Sequence, residues 1–410
     1  MSLQGVLERG DEHLSEYPRT ASWWNTASKL TCYAAIGYSK LVLSTAYNVE
    51  VKGLENLDLA LARSQSENRG VVSIMNHMSM VDDPFLWGCL PWSYYRDVDH
   101  IRWCLGARNV CFKGTFLSYF FSLGKILPTD RFGRGPFQGS IEAAIRLLSP
   151  DDTLGLIYDG SESVKSKWLS YQRDDSAIEI PNLLAKKIQS EYINPVIRSK
   201  PSWVHIFPEG FVLQLQPPFN NSMRYFRWGV SRMVLEATRQ PIIVPIFSHG
   251  FESIAPESEK KTFKERYLPA NFGATVKVFI GEPVSDEIIQ KYRAEWLALV
   301  EKFNRGAKDL NDKLMFDKKV QDLRSRLSSE LRRHVLAIRE ATGEFAPEDV
   351  RFKDHQFWRK FTRSEGESHP DVKFVGLNWA IRRLQGLPPL VDEEETTTAT
   401  EKTKKSWWRW

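Results

Sequence analysis

VVSIMNHMSMVDDP, residues 71–84, decides how the chain is read. Residues 71–75 form a short apolar run rich in β-branched side chains, which reads as a buried strand. Asn76 and His77 fall where the chain leaves the sheet, and Ser79 opens a helix with Asp82 three residues on. Strand ends in α/β folds are where reactive side chains are displayed. On a continuous helix, His77 and Asp82 would face different ways. In a loop that enters a helix, the carboxylate can fold back to the imidazole. An Asp accepting from one ring nitrogen fixes the tautomer, and the other nitrogen is free to take a proton from an attacking hydroxyl. Such a pair needs no Ser or Cys nucleophile when the substrate supplies the alcohol. A plainer reading stays open beside this one. Ser79-x-x-Asp82 has the spacing of a capping box, with Asp82 bonding the helix start.

Outward from this segment the chain alternates strands and helices. Residues 47–52 read as a strand, and 53–70 as a turn and short helix. Residues 76–130 alternate aromatic helices with loops. Further strands are expected at 152–159, 202–210, 241–250 and 274–284, and a helix within 222–239. Beyond Ser285 helix dominates. Leu310, Leu314, Leu323, Leu327 and Leu331 recur at helical intervals, as in one long amphipathic helix ending near Gly343. The fold class is therefore α/β, a mixed sheet flanked by helices. Residues 1–22 form an N-terminal segment with net negative charge, unlike a mitochondrial transit peptide or a secretory signal. Residues 160–201 are polar, carry Pro181, Pro195 and Pro201, and read as an insertion, partly helical at 182–191. Residues 391–410 are charged and of low complexity, a disordered tail in composition.

A net charge of +5 permits an anionic partner, acidic lipid or nucleic acid, without requiring one. No finger, RNP-type or basic-zipper pattern is present, so nucleic acid is not expected. The four cysteines (Cys32, Cys89, Cys104 and Cys111) have neither metal-ligand spacing nor scaffold density, and a reduced or neutral role is expected. The 14 Trp, 13 Tyr and 23 Phe often stand beside Arg or Lys, which suits the headgroup layer of a bilayer. Two membrane segments follow. Residues 23–47 begin with Trp23 and Trp24 but are interrupted by Lys29, Gly37 and Lys40. A spanning helix needs ~20 mainly apolar residues, so an in-plane helix is favoured over a full span or a buried core helix. Residues 215–233 interleave Phe219, Tyr225, Phe226 and Trp228 with Arg224, Arg227 and Arg232. They read as a second contact, or as an amphipathic helix packed on the sheet.

Three more segments carry weaker signals. In HIFPEG (205–210), Pro208-Glu209-Gly210 is either an ordinary turn or a place where Glu209 holds a substrate hydroxyl. In GKILPTDRFGRG (124–135), Arg131 and Arg134 lie among glycines, so a guanidinium can pair with phosphate, or the loop is simply exposed. IIVPIFSHG (242–250) is by default a core strand.

The order of these segments resembles the glycerolipid acyltransferase superfamily, whose four blocks occur in that sequence. Asn76-His77-x-Ser79-x-x-Asp82 is similar to the first block and Phe207-Pro208-Glu209-Gly210 to the third. Within it the chain most resembles the tafazzin family, the phospholipid–lysophospholipid transacylases of mitochondria. NHMSMVDDPFLWG (76–88), GKILPTDR (124–131), WVHIFPEG (203–210), RYFRWGVSRMVLEA (224–237) and PIIVPIFSHGFE (241–252) carry that resemblance. The second block departs from the superfamily pattern, with a stretch containing Pro128 and one added residue. The insertion and a C-terminal extension at 344–390 look fungal-type.

The resemblance implies a glycerolipid acyltransferase fold over residues 48–343, preceded by the membrane-associated helix. It implies acyl exchange between phospholipids and lysophospholipids without coenzyme A, in the remodelling of cardiolipin, with phosphatidylcholine as a further substrate. His77 is then the general base and Asp82 orients it. Asn76, Ser79, Arg131, Phe207, Pro208, Glu209 and Gly210 belong to the substrate site, and backbone near Gly114 or Gly210 is the candidate oxyanion donor. No metal or cofactor is implied. The setting is monotopic on mitochondrial membranes facing the intermembrane space, and oligomers are compatible with it. Two rivals share the features: an acyl-CoA-dependent lysophospholipid or glycerol-phosphate acyltransferase, and a non-catalytic lipid-binding protein that would not need His77.

Overall fold

The computed structural model describes residues 3–15, 22–96, 101–130, 135–149, 202–257, 268–304 and 307–362, together with 372 and 375. The expected strand at 152–159, the insertion at 160–201, Arg131 and the tail at 391–410 lie outside the described residues.

Among the described residues, seven strands form one sheet: β1 (Asn48–Lys52), β2 (Val71–Met75), β3 (Trp103–Ala107), β4 (Ile126–Thr129), β5 (Trp203–Ile206), β6 (Ile242–His249) and β7 (Thr275–Ile280). The order is β1-β7-β6-β2-β5-β3-β4. β2 lies between β5 and β6 and is parallel to both, and only the β6–β7 pair is antiparallel. The sheet is thus mixed, as expected. β2 is buried throughout because it is covered on both faces, the situation in which a strand loses its polar alternation, and Ser73 is its one polar residue. The side-chain period of 2 survives in the partition of the core. Val72, Ile74, Val204, Ile206, Ile243 and Phe247 enter one layer. Val71, Met75, Trp203, Ile242, Val244 and Ile246 enter the other.

The first layer is built with α1 (Gln4–Ser15), α7 (Gly139–Leu148), α8 (Trp228–Glu236), α10 (Asp286–Asn304) and α12 (Lys318–Ala341). The second uses α2 (Ser22–Ala46), α3 (Leu54–Glu67) and α4 (Asp82–Cys89). Between these run α5 (Arg108–Cys111), α6 (Thr115–Leu123), α9 (Phe251–Ile254), α11 (Asp312–Phe316) and α13 (His355–Thr362). The leucine-spaced stretch is two helices rather than one. Asn311 caps α11 by accepting from Leu314 N, and Asp317 caps α12 by accepting from Lys319 N. α12 then buries Leu323, Leu327, Leu331 and Val335 along one stripe.

Burial places three segments that the sequence left open. The N-terminal segment is part of the core: Leu3, Val6, Leu7 and Leu14 are buried. α1 lies close on α7, where a Cβ on Gly10 would come within 2.5 Å of the Glu142 carbonyl oxygen. Asp11 and Arg146 pair at 2.9 Å beside it. α2 is amphipathic. It buries Trp24, Cys32, Ile36 and Leu43, so Trp24 is turned into the protein, while Trp23, Leu30, Tyr38 and Leu41 are exposed. No helix among the described residues is long and apolar enough to cross a membrane. Residues 215–233 are also turned inward. Phe226 is in the core, Arg232 and Glu236 pair with no exposure, and Phe219 and Tyr225 pack against Leu213, Leu215, Phe352 and Trp358. Trp228 is partly buried and donates to Ser325 Oγ at 3.0 Å. The cover comes from α12 and from residues 350–358, both remote in sequence, which is why a local reading missed it.

If α1 is integral to the core, Leu7→Ala costs about 2–5 kcal/mol by lost transfer energy and cavity formation. Denaturant unfolding measures this, and a change within about 0.5 kcal/mol would make α1 pendant.

Candidate active site

His77 leaves the end of β2, where the parallel neighbours β5 and β6 bring their carboxyl ends alongside. Asn76 fastens this edge: it donates to Ser248 O at 2.8 Å and accepts from Ser248 N at 2.9 Å. His77 is then held from both backbone directions. Its N–H donates to Glu209 Oε1 at 2.8 Å, and its carbonyl accepts from Leu213 N at 2.9 Å. The ring stacks on Phe207 with centroids 4.4 Å apart.

His77 Nδ1 lies 2.9 Å from Asp82 Oδ2. The same oxygen accepts from Met78 N at 2.7 Å and Ser79 N at 2.9 Å. The two sequence readings of Asp82 therefore coincide: it meets the imidazole, and it satisfies backbone donors ahead of α4. The helix begins at Asp82 itself rather than at Ser79. Asp82 is fully buried and its Oδ1 has no partner. Burial pushes its carboxyl up from the usual range, against the pull of His77 and of the two N–H groups.

Glu209 is buried at 1% exposure. Its second oxygen, Oε2, accepts from Arg224 N at 2.7 Å. Both oxygens are thus spent on backbone, and burial raises the carboxyl to about 8 despite those donors and the charges of Arg332 and Arg224. Gly210 adopts φ 75°, and its N–H closes the turn onto Phe207 O at 3.1 Å. A Cβ there would lie 2.8 Å from Arg227 Nε, so glycine lets Arg227 cross the turn. Ser79 is buried, with Oγ 3.4 Å from Ala255 O. Asn76, Ser79 and Glu209 thus brace the site, whereas His77 and Phe207 face a cavity.

That cavity has a volume of about 410 Å³. Its walls are mainly apolar, from α2 (Ile36, Tyr38), α4 (Phe85, Trp87) and α6 (Phe120, Phe121), and His77, Phe207 and Phe211 complete it. A polar pair enters the wall where Arg102 Nη2 bonds Asp83 Oδ2 at 2.5 Å. Among the described residues no cluster of His, Cys, Asp or Glu could hold a metal ion. Local motifs did not reveal the cavity, because its lining is scattered from residue 31 to residue 257. They also did not reveal His205, buried beside Phe207 with Nδ1 2.8 Å from Ser73 Oγ and its pKa lowered by burial to about 3.

The Acyltransferase family model matches residues 48–249, which contain the His–Asp pair, the Phe-Pro-Glu-Gly turn and six of the seven strands. A tafazzin of Saccharomyces cerevisiae is 52% identical over 392 residues, covering 95% of this chain and 98% of that protein. An N-acylphosphatidylethanolamine synthase of Arabidopsis thaliana is 26% identical over 68% of this chain and 74% of its own. A tafazzin of Drosophila melanogaster is 25% identical over 64% of this chain and 53% of its own. The solved 1-acyl-sn-glycerophosphate acyltransferase of Thermotoga maritima aligns over 66% of this chain and 79% of its own at 14% identity, with a TM-score of 0.32. The near-complete match to the yeast protein, joined to the matched acyltransferase segment, makes this chain an acyltransferase that belongs to the tafazzin family.

Proposed function

We propose that this acyltransferase moves fatty acyl groups between phospholipids and lysophospholipids without coenzyme A, cardiolipin and phosphatidylcholine among them, with His77 as general base. The observation that carries the reading is the His77–Asp82 contact at the wall of an apolar cavity. Nδ1 is spent on Asp82, which leaves Nε2 for the substrate. Nε2 takes the proton of the lysolipid hydroxyl as its oxygen attacks the donor's ester carbonyl. The tetrahedral intermediate collapses, the donor's glycerol oxygen leaves, and His77 returns the proton to it. One ester forms and one breaks, so no oxidant or activated carrier is consumed.

The apolar substrates place the enzyme on a bilayer. The supporting feature is an exposed apolar face shared by α2 and α6: Trp23, Leu30, Tyr38, Leu41, Phe116 and Tyr119. Ser28 Oγ donates to Leu123 O at 2.6 Å and joins the two helices. Tyr38 belongs to this face and to the cavity wall, which gives an acyl chain a sideways entry. Monotopic attachment to mitochondrial membranes from the intermembrane space fits this face.

Transfer of a labelled acyl group from phosphatidylcholine to lysocardiolipin is expected with no acyl-CoA present. If transfer needs acyl-CoA, the rival acyltransferase reading stands. His77→Ala should lower the rate by about 10²–10⁴-fold while vesicle binding persists. Asp82→Asn should lower both rate and melting temperature, since Asp82 also holds Met78 and Ser79.

Phe116→Ser should weaken vesicle partitioning by roughly tenfold or more, from the ~1.5–3 kcal/mol of burying such a ring. Trp228→Ser, on the inward segment, should leave partitioning unchanged. Co-sedimentation measures both, and the reverse ranking would move the membrane face to residues 215–233.

A folded pKa raised from 4.5 to about 8 means that Glu209 binds its proton more tightly in the native state. Its contribution to stability is therefore full below pH ~4.5 and is lost as pH rises through ~8. Relative to Glu209→Gln, the wild type should lose stability across that window in denaturant titrations. A pH-independent difference would mean that the two N–H donors keep Glu209 ionised throughout.

A further inference from the structure

Among the described residues, the buried arginines other than Arg224 each donate to a carboxylate or a backbone carbonyl. Arg146 has Asp11, Arg232 has Glu236, Arg332 has Glu348 and Arg102 has Asp83. Arg339 donates to the carbonyls of Asn221 and Ala346, and Arg293 to those of Val234 and Ala237. Arg224 is the exception. It is buried at 4% exposure, and its Nε and Nη1 have no hydrogen-bond partner. Three rings surround the guanidinium: Phe211 at 4.9 Å, Tyr225 at 5.3 Å and Trp358 at 5.2 Å. Arg227 lies on the same Phe211 ring at 4.6 Å and has a single long bond, from Nε to Glu209 O at 3.3 Å. Neither forms an ion pair with a carboxylate among the described residues.

Two guanidinium groups on one ring repel each other, and a buried cation without a counter-ion is unfavourable. Cation–π contacts offset part of that cost. Burial lowers the pKa of both groups, that of Arg224 to about 10. An anion would remove the repulsion and accept from the open Nε of Arg224. A tetrahedral oxyanion has oxygens enough to take one charge-assisted bond from each of two guanidinium groups.

The pair also stands where such an anion is useful. Phe211, in contact with both guanidiniums, forms part of the cavity wall that includes His77. Arg224's own N–H shares the Glu209 carboxylate with the N–H of His77. We infer that Arg224 and Arg227 form the binding site for the phosphate ester of the lipid headgroup. This rests on the proposed lipid exchange: in a lysophospholipid the phosphate and the acceptor hydroxyl are carried by one glycerol, so gripping the first presents the second to His77. Trp358, in the C-terminal extension, then acts as a positioning residue by confining the Arg224 guanidinium.

The test is calorimetric titration of the full chain with dihexanoylphosphatidylcholine, a soluble phosphodiester, with dihexanoylglycerol as its uncharged counterpart. Wild type is expected to bind the phosphodiester in a salt-dependent manner. Arg227→Gln and Arg224→Gln are each expected to weaken it by roughly ten- to a hundredfold, with dihexanoylglycerol unaffected. Folded variants that bind the phosphodiester as wild type does would overturn the site. So would an equal loss of dihexanoylglycerol, which would report a damaged cavity. If Arg224→Gln fails to fold, the partly exposed Arg227→Gln decides alone. Inorganic phosphate should compete only weakly. If it binds more tightly than the phosphodiester, the pair is a free-phosphate site and the lipid assignment falls. Because binding requires no turnover, the result is separate from the coenzyme-A-free transfer assay: a protein that binds through both arginines yet transfers nothing loses the proposed reaction and keeps this site.

Discussion

The carboxylate of Glu209 joins three segments that are far apart in the chain. It sits on the turn after β5, accepts the N–H of His77 at the end of β2, and accepts the N–H of Arg224 ahead of α8. Taking a carboxylate out of water is costly, and two N–H donors do not fully offset it, so its pKa stays high. What the arrangement gives is geometry. With Leu213 N on its carbonyl, Asp82 on its ring nitrogen and Phe207 against its ring face, His77 is restrained along its backbone, its tautomer and its ring plane. A base needs to be within hydrogen-bond reach of its proton, and small displacements are expensive in rate.

Asp82 shows the same economy with one atom. A single oxygen accepts from the imidazole and from two backbone N–H groups, and the first turn of α4 follows directly. The helix start and the His77 imidazole are therefore held by one carboxylate. The capping and catalytic readings of this residue are compatible for that reason, and a substitution there perturbs the loop along with the chemistry.

The sheet was legible because its strands announce themselves locally. Val71–Met75 and Ile242–His249 are apolar runs bounded by turns, and a parallel strand buried on both faces has that pattern. The His–Asp pair was legible because both residues lie within one loop and its helix. Glu209 was recognisable as a member of a motif, but not in its bonds, since its partners are 132 and 15 residues away. The long leucine pattern hid a break because Leu310 and Leu314 continue the helical spacing across the cap at Asp317. Residues 215–233 kept two readings open in the sequence for a more general reason. An arginine beside aromatic rings has the same composition whether it meets a headgroup layer or a ring from elsewhere in its own chain. Here the ring is Trp358, supplied from 134 positions further on, and nothing near Arg224 foretells it.

Exposure separates the two segments that composition had treated alike. α2 keeps one stripe in the core and leaves Trp23, Leu30, Tyr38 and Leu41 open, and α6 extends that apolar surface with Phe116 and Tyr119. Residues 215–233 pack their rings against the protein, with Phe226 buried, and draw Arg224 and Arg232 in with them. On the proposed reading this division assigns the two halves of a lipid to two sides of His77. The acyl chain occupies the cavity behind α2 and α6, and the phosphate meets Arg224 and Arg227 beyond Phe211. The base lies between because its ring borders the cavity and its backbone N–H shares Glu209 with Arg224. An enzyme whose nucleophile belongs to its substrate must place the hydroxyl by holding what surrounds it, and a chain pocket on one side with a charged grip on the other is sufficient to do so.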